Sequence, residues 1–568
     1  MTDSSLLAEH LVSKNFTGAR QCLVADAAYL GQAHSSSELM ENEELKTRLL
    51  LHSVLKRLPT RKISSPQWLS NKSAFLDWLF LSSDRLELLL NEIRPEDDAA
   101  AVLDVWSTIW NHEQNPEFRE KYASLALALA LVFDNPRNAR PKQDDYYYPS
   151  LTLLERYDYF VQASEDKRLD IACDRLIPRE LIHVVDLKIS QTEIDWSLRK
   201  VNESRRRWGQ TYGLIEYLME RAVENVDPYE QYILSEILKE GGICGDQAYF
   251  SAESGKARGI PATYVAGVGN RGGHAWVAFM PDANEWATYG SQGITNGKLY
   301  DPQRGRQLPY DQLVLEADKD FRTEQRVPAL LLTDMAREVA RSGALDLALP
   351  HFEAARELAP MTLLPWQEQL RAMRGADSPE AIAELGKLVD EIERDFRDFP
   401  SAVEYASEFR REHLLAKLSE EELQKELERE IRRQIRKYGD KGDVVANSVA
   451  SLADMLVRKK APDTLRSLYR TSFRKCGEDL ELFKKLMESY LAKSRSFPEL
   501  RKEAPRDLER YYERQAETRT GDYFRGMMEV RLHRRIARAY RGIGEKEKAD
   551  SLIKKIERRE EKLAKSAL

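Results

Sequence analysis

Gly241-Gly-Ile-Cys244-Gly-Asp-Gln-Ala248-Tyr-Phe250 marks the point where the pattern of the chain changes. Upstream, residues 229–240 carry apolar side chains at helical spacing, and the Gly241-Gly242 pair stops that helix as a C-cap does. Downstream, short β-branched and aromatic runs alternate with Gly- and Asn-containing turns: Ala262-Thr-Tyr-Val-Ala266, His274-Ala-Trp-Val-Ala-Phe-Met280 and Glu285-Trp-Ala-Thr-Tyr289. A helix feeding an antiparallel sheet predicts an α+β core inside a chain that is otherwise helical.

The chemistry-bearing residues lie on the same stretch. Cys244 falls at the first residues of a helix, where free N–H groups and the helix dipole favour a thiolate and are expected to bring the thiol below its free value of about 8.5. His274 opens a strand after a glycine turn, and a thiol nucleophile needs such a base within hydrogen-bond reach. Gly259-Ile-Pro-Ala262 reads as the turn between the cysteine helix and the first strand, since Gly takes positive φ and Pro blocks helix continuation. Cys22, Cys173 and Cys476 sit in ordinary helical patterns and read as small buried hydrophobes.

Three ordered segments, Gly242-Ile-Cys244 through Ala248, Gly259-Ile-Pro-Ala262 and His274-Ala-Trp276, resemble the transglutaminase-like superfamily with its papain-type core. The resemblance covers residues 201–325. It implies acyl chemistry on an amide, with Cys244 as nucleophile and His274 as base, and the N–H of Cys244 as one oxyanion donor. The family's third member is an Asp on the strand after the histidine strand, but Tyr289-Gly290-Ser291 occupies that place. An Asp-Pro follows at Asp301-Pro302, so either Asp301 returns to the histidine across an insertion or the triad is incomplete.

Further out, residues 1–133 read as an N-terminal helical domain and 134–200 as a linker and helical connector, with prolines and three tyrosines in 134–149. Residues 326–568 resemble tetratricopeptide-like helical repeats: Gly343, Ala348, Phe352 and Ala355 stand at the small, small, aromatic and small positions. Ala537, Tyr540, Gly544 and Ala549 form a weaker second copy. Residues 419–436 read as a solvated helix face of Glu and Arg.

Composition narrows the function classes. The 568 residues are 42% hydrophobic and 32% charged, with 87 basic against 94 acidic side chains, a balance that leaves no footprint for nucleic acid. No apolar run approaches the roughly 20 residues of a membrane span, so no membrane is expected as partner. The start lacks a signal pattern, which reads as cytoplasmic, or as periplasmic or secreted if a leader was trimmed.

The histidines besides His274, among them His183, His351 and His533, lack metal-ligand spacing, and no metal or cofactor is expected. Gly267-Val-Gly-Asn-Arg-Gly272 matches a dinucleotide fingerprint, but a strand follows where a helix is required. Trp276 and Trp286 suit either a substrate channel or strand packing.

The expected function is a cysteine peptidase or amidase acting on a protein or peptide, hydrolysis being favoured because water needs no second binding site. The alternative is a degenerate transglutaminase-like domain within a protein-binding scaffold, its partner held on the C-terminal helical repeats.

Overall fold

The computed structural model describes residues 4–134, 150–224, 226–269, 272–282, 285–294, 297–316, 323–375, 378–415, 418, 422–423, 425–427, 429–430, 442–475, 479–516 and 523–567. The proposed 134–149 tyrosine linker beyond Asp134, Cys476 and most of the 419–436 run lie outside them. Helix accounts for 72% of the structure, and the strands form one five-stranded sheet, so the class is predominantly α with an α+β element. Among the described residues no helix is long and apolar enough to cross a membrane.

The chain divides into two compact units. The first comprises Met1–Val265, Ala275–Ser291 and Lys298–Ala381; the second comprises Ala266–His274, Gln292–Gly297 and Ile382–Leu568. The helices of 326–381 therefore group with the N-terminal part of the chain rather than with the C-terminal helices.

In the first unit, Asn15 and Asn42 cap the helices Phe16–Ala33 and Glu43–Arg57 by accepting backbone N–H groups of the first turn. Both helices pack on Arg326–Arg341. The approach is close at Gly31, where an added Cβ would stand 2.5 Å from Val339. Lys56 and Arg57 pair with the buried Asp334, and Lys56 also with Glu338. Leu345–Leu358 completes a helical hairpin through a turn at Gly343, whose φ is +91°, and Ala348, Phe352 and Ala355 are fully buried.

The sheet has the order β3-β2-β1-β4-β5, with β1 Ala262–Gly269, β2 Gly272–Asp282, β3 Glu285–Tyr289, β4 Lys298–Asp301 and β5 Arg306–Pro309. β2 and β3 pair antiparallel with Val277 opposite Tyr289, and β4 and β5 pair antiparallel with Asp301 opposite Arg306. Residues 275–280 of β2 are buried on both faces, so this strand reads as a continuous apolar run instead of alternating. The glycines of the dinucleotide-like motif lie on β1 and β2, and none opens a helix. The first three strands follow the sequence reading; β4 and β5 were not anticipated.

The second unit is a succession of helices, among them Gly442–Arg458, Pro462–Lys475, Leu480–Ser494, Pro498–Ala516, Tyr523–Gly542 and Lys546–Ala567, each packing on its successor. Tyr469, Phe473, Phe483, Tyr490 and Tyr512 fill their shared core. Gly544 turns the last hairpin with φ +91°, the value found at Gly343, and Ala549, like Ala348, is fully buried.

Candidate functional site

The helix that carries Cys244 runs Cys244–Lys256, and its start is built by local chemistry. Gly241 has φ +83° and closes the preceding helix by donating its N–H to the Ile237 carbonyl. A Cβ at Gly242 would stand 2.6 Å from the Tyr229 hydroxyl and 2.5 Å from the Asp246 Cβ, so the chain passes here only as glycine. Asp246, the third residue of the helix, accepts the Ile243 N–H at 2.8 Å. Arg221 at 2.8 Å and the Tyr232 hydroxyl at 2.9 Å hold the same carboxylate.

At the other end Gly259 has φ +72°, and a Cβ there would stand 2.5 Å from the Ile171 carbonyl oxygen. This is the glycine turn that hands the helix over to β1. The 3₁₀ segment Arg205–Leu214 lies along the helix: Trp208 Nε1 donates to the Ser251 carbonyl, and Gly209 admits Tyr289 and Phe279 of the sheet.

Cys244 is half-buried and in the reduced form. The backbone N–H groups of Ala275, Gly245 and Cys244 itself act on its sulfur and favour the thiolate. Ala275 follows His274 directly in β2, and its carbonyl accepts the Tyr212 hydroxyl at 2.9 Å. One β2 residue thus meets the thiol through its N–H and a phenol through its C=O. Tyr212, Tyr217 and Tyr264 are all within electrostatic reach of the sulfur. Burial and then Cys244 raise each phenol, Tyr264 to about 12.

The expectation of a depressed thiol pKa is corrected by this environment. Burial pushes the Cys244 thiol above its ordinary value and Asp246 adds to the effect, while the three N–H groups oppose them without prevailing. The helix start alone argues for a thiolate, but desolvation wins. Cys173 is fully buried and lies higher still, pushed up to about 12 by desolvation.

His274 is half-buried at the end of the short segment grouped with the second unit. Asp301 is buried in the first unit, and its observed bonds are local. One oxygen accepts the N–H groups of Gln303 and Arg304 at 2.9 and 3.0 Å; the other takes the Arg304 guanidinium at 2.6 Å. Burial alone would raise this carboxylate, but Arg304, then Arg94 and His183, hold it below its ordinary value.

The histidine that Asp301 influences in its own unit is therefore His183. His183 meets the Trp286 ring edge-on at 5.3 Å, and burial lowers its pKa to about 4 against the pull of Asp301. Trp276 is buried as strand packing.

Arg304 continues the network to Glu316 at 2.7 Å; Arg94 and Arg179 reach that same carboxylate at 2.6 and 3.2 Å, and Arg179 pairs with Glu92. Glu316, half-buried, is kept well below the usual carboxylate range because the three guanidinium groups outweigh desolvation.

The tyrosines around Cys244 and the Asp246 brace escaped the sequence reading. The brace was legible, since an acidic residue at the third helical position is a capping signal; the phenols come from three separate segments and carry no local signature. Among the described residues no group of three or more His, Cys, Asp or Glu is placed to hold a metal ion. No family model, curated protein or solved structure matches this chain.

Proposed function

We propose that the chain is a cysteine amide hydrolase of the transglutaminase-like type, with Cys244 as nucleophile and His274 as base. The observation that carries this reading is the position of the thiol. It stands at the start of a thirteen-residue helix, under the influence of the backbone N–H of Ala275, the residue after His274. With a thiol raised by burial, attack proceeds by general-base catalysis and not from a standing thiolate.

The Cys244 proton passes to the His274 imidazole as the sulfur bonds to the amide carbon. The C–N bond then breaks, and the imidazolium gives its proton to the departing amine. Water, deprotonated by the same imidazole, hydrolyses the thioester and releases the acid. The N–H groups that converge at the sulfur are suited to stabilise the oxyanion as it forms. Asp301, engaged by Arg304, has a structural role in this scheme, and the pair works without it.

A second reading, a non-catalytic binding domain, draws support from the raised thiol and from the local engagement of Asp301. Iodoacetamide labelling at pH 7.5 separates the two. The hydrolase reading expects labelling of Cys244 to depend on the imidazole as base, so that His274→Ala slows it roughly tenfold or more while Cys22 labels as before. Equal rates in the unaltered protein and the His274→Ala variant would overturn it. A peptide-amide library then reports the scissile bond, with Cys244→Ala as control.

A further inference from the structure

The second unit holds a groove of about 590 Å³ between the helices Leu480–Ser494, Pro498–Ala516 and Tyr523–Gly542. Its floor is apolar, with Leu491, Pro505 and Ile543 among the lining side chains. Four arginines line it as well: Arg495, Arg501, Arg535 and Arg538. The single carboxylate in the lining, Glu488, pairs with Arg535. Arg501 donates to the Gly542 carbonyl at 3.4 Å and keeps its charge unanswered. Among the described residues Arg495 and Arg538 make no ion pair and no side-chain hydrogen bond.

Three guanidinium groups over an apolar floor are an incomplete arrangement. Exposed cations elsewhere in this unit are commonly paired, as Arg466 is with Glu503 and Asp507, Arg506 with Glu545 and Arg534 with Glu560. Guanidinium forks match carboxylates in a bidentate geometry, and an apolar floor rewards a side chain that a phosphate backbone does not supply.

We propose that this groove binds a short acidic peptide segment, one apolar side chain seated on the floor and flanking carboxylates held by Arg495, Arg501 and Arg538. The carboxylates are Asp or Glu side chains or a free chain end. This binding is independent of the thiol chemistry, and it would bring a partner or substrate to the second unit through a site separate from Cys244.

The test uses the full chain and an immobilised positional-scanning library of octapeptides, printed once with free and once with amidated C-termini. Selection of Asp or Glu next to Leu, Ile or Phe is expected, and loss of signal on amidation assigns the carboxylate to the chain end. Arg495→Glu with Arg538→Glu, both at exposed positions, should weaken acidic peptides roughly tenfold or more and shift preference toward Lys and Arg. Cys244→Ala should leave the pattern unchanged. Circular dichroism of the double variant establishes that it is folded. No retained peptide, retention without acidic preference, a preference unmoved by the charge reversal, or equal displacement of the peptide by polyuridylate would each overturn the proposal.

Discussion

At Cys244 a half-buried thiol feels nearby backbone N–H groups and has three phenols within electrostatic reach, and burial raises its pKa. Around Asp301, Arg304, Arg94 and Arg179 interlock with Asp301, Glu316 and Glu92, and the guanidinium groups hold Asp301 and Glu316 below the ordinary carboxylate range. Cys244 and Asp301 both belong to the first unit, and the sequence marks both as catalytic. They differ in what the surroundings favour. The neutral nucleophile at the first centre gains by giving its proton to a base, whereas the ions at the second are stabilised as they stand. Substitution should therefore reduce activity at one centre and stability at the other.

The largest expected effect is on the first side of that contrast. Cys244→Ala should lower amide hydrolysis by about four orders of magnitude or more, as loss of a covalent nucleophile does. Its denaturation midpoint should stay close to that of the unaltered protein, because the lost contacts are N–H groups on a small side chain. A variant that retains turnover would break the comparison at its root.

Next comes the ion network. Arg304→Ala takes from the buried Asp301 its paired guanidinium and leaves it two backbone N–H groups, and removing one partner of a buried pair costs about 3–5 kcal/mol. Urea unfolding measures this directly. If Arg304→Ala instead leaves stability intact and lowers activity at low temperature, where the variant is folded, the Asp301 centre belongs to the catalytic machinery after all.

His183 provides a pH handle on the same centre. Its pKa is lowered to about 4 in the folded chain against the free value of 6.5. Between those values the unfolded chain binds the proton and the folded one does not, so the stability is present above pH 6.5 and is lost as pH falls toward 4. By pH 5 the loss is about 2 kcal/mol from this residue. His183→Gln should flatten that part of the stability profile between pH 7 and 5, and an unchanged slope would place the acid sensitivity elsewhere, His52 being the next buried candidate with its pKa also lowered to about 4.

How far the sequence discloses these two centres depends on how local their parts are. The helix stop at Gly241, the turn at Gly259 and the strands through Tyr289 were legible because each rests on neighbouring residues. Gly343 was read as a small position of a helical repeat; the structure makes it a hairpin turn whose φ of +91° demands glycine. β4 and β5 escaped, being four residues each and rich in Gln, Arg and Lys, and held by pairing instead of β-propensity. The thiol shift was misjudged because a helix start is visible in sequence and desolvation is not. Asp301 was a candidate partner for His274 through its Asp-Pro resemblance, while Arg94, Arg179 and Glu316, which complete its network, come from three distant segments.

Tyr212→Phe is the smallest expected change and the finest probe of the Cys244 centre. It removes the 2.9 Å hydrogen bond to the Ala275 carbonyl and nothing else of comparable strength. A single neutral hydrogen bond contributes about 1 kcal/mol net, so the stability change should be of that size. Activity is the more informative readout. The same Ala275 acts on the sulfur through its N–H and adjoins His274, so release of its carbonyl loosens the part of β2 that carries the base. A fall in kcat of roughly tenfold with KM unchanged marks that peptide as positioning the catalytic pair. A fall in stability alone would make Tyr212 a packing residue and leave the alignment of Cys244 and His274 to the helix start and the glycine turn.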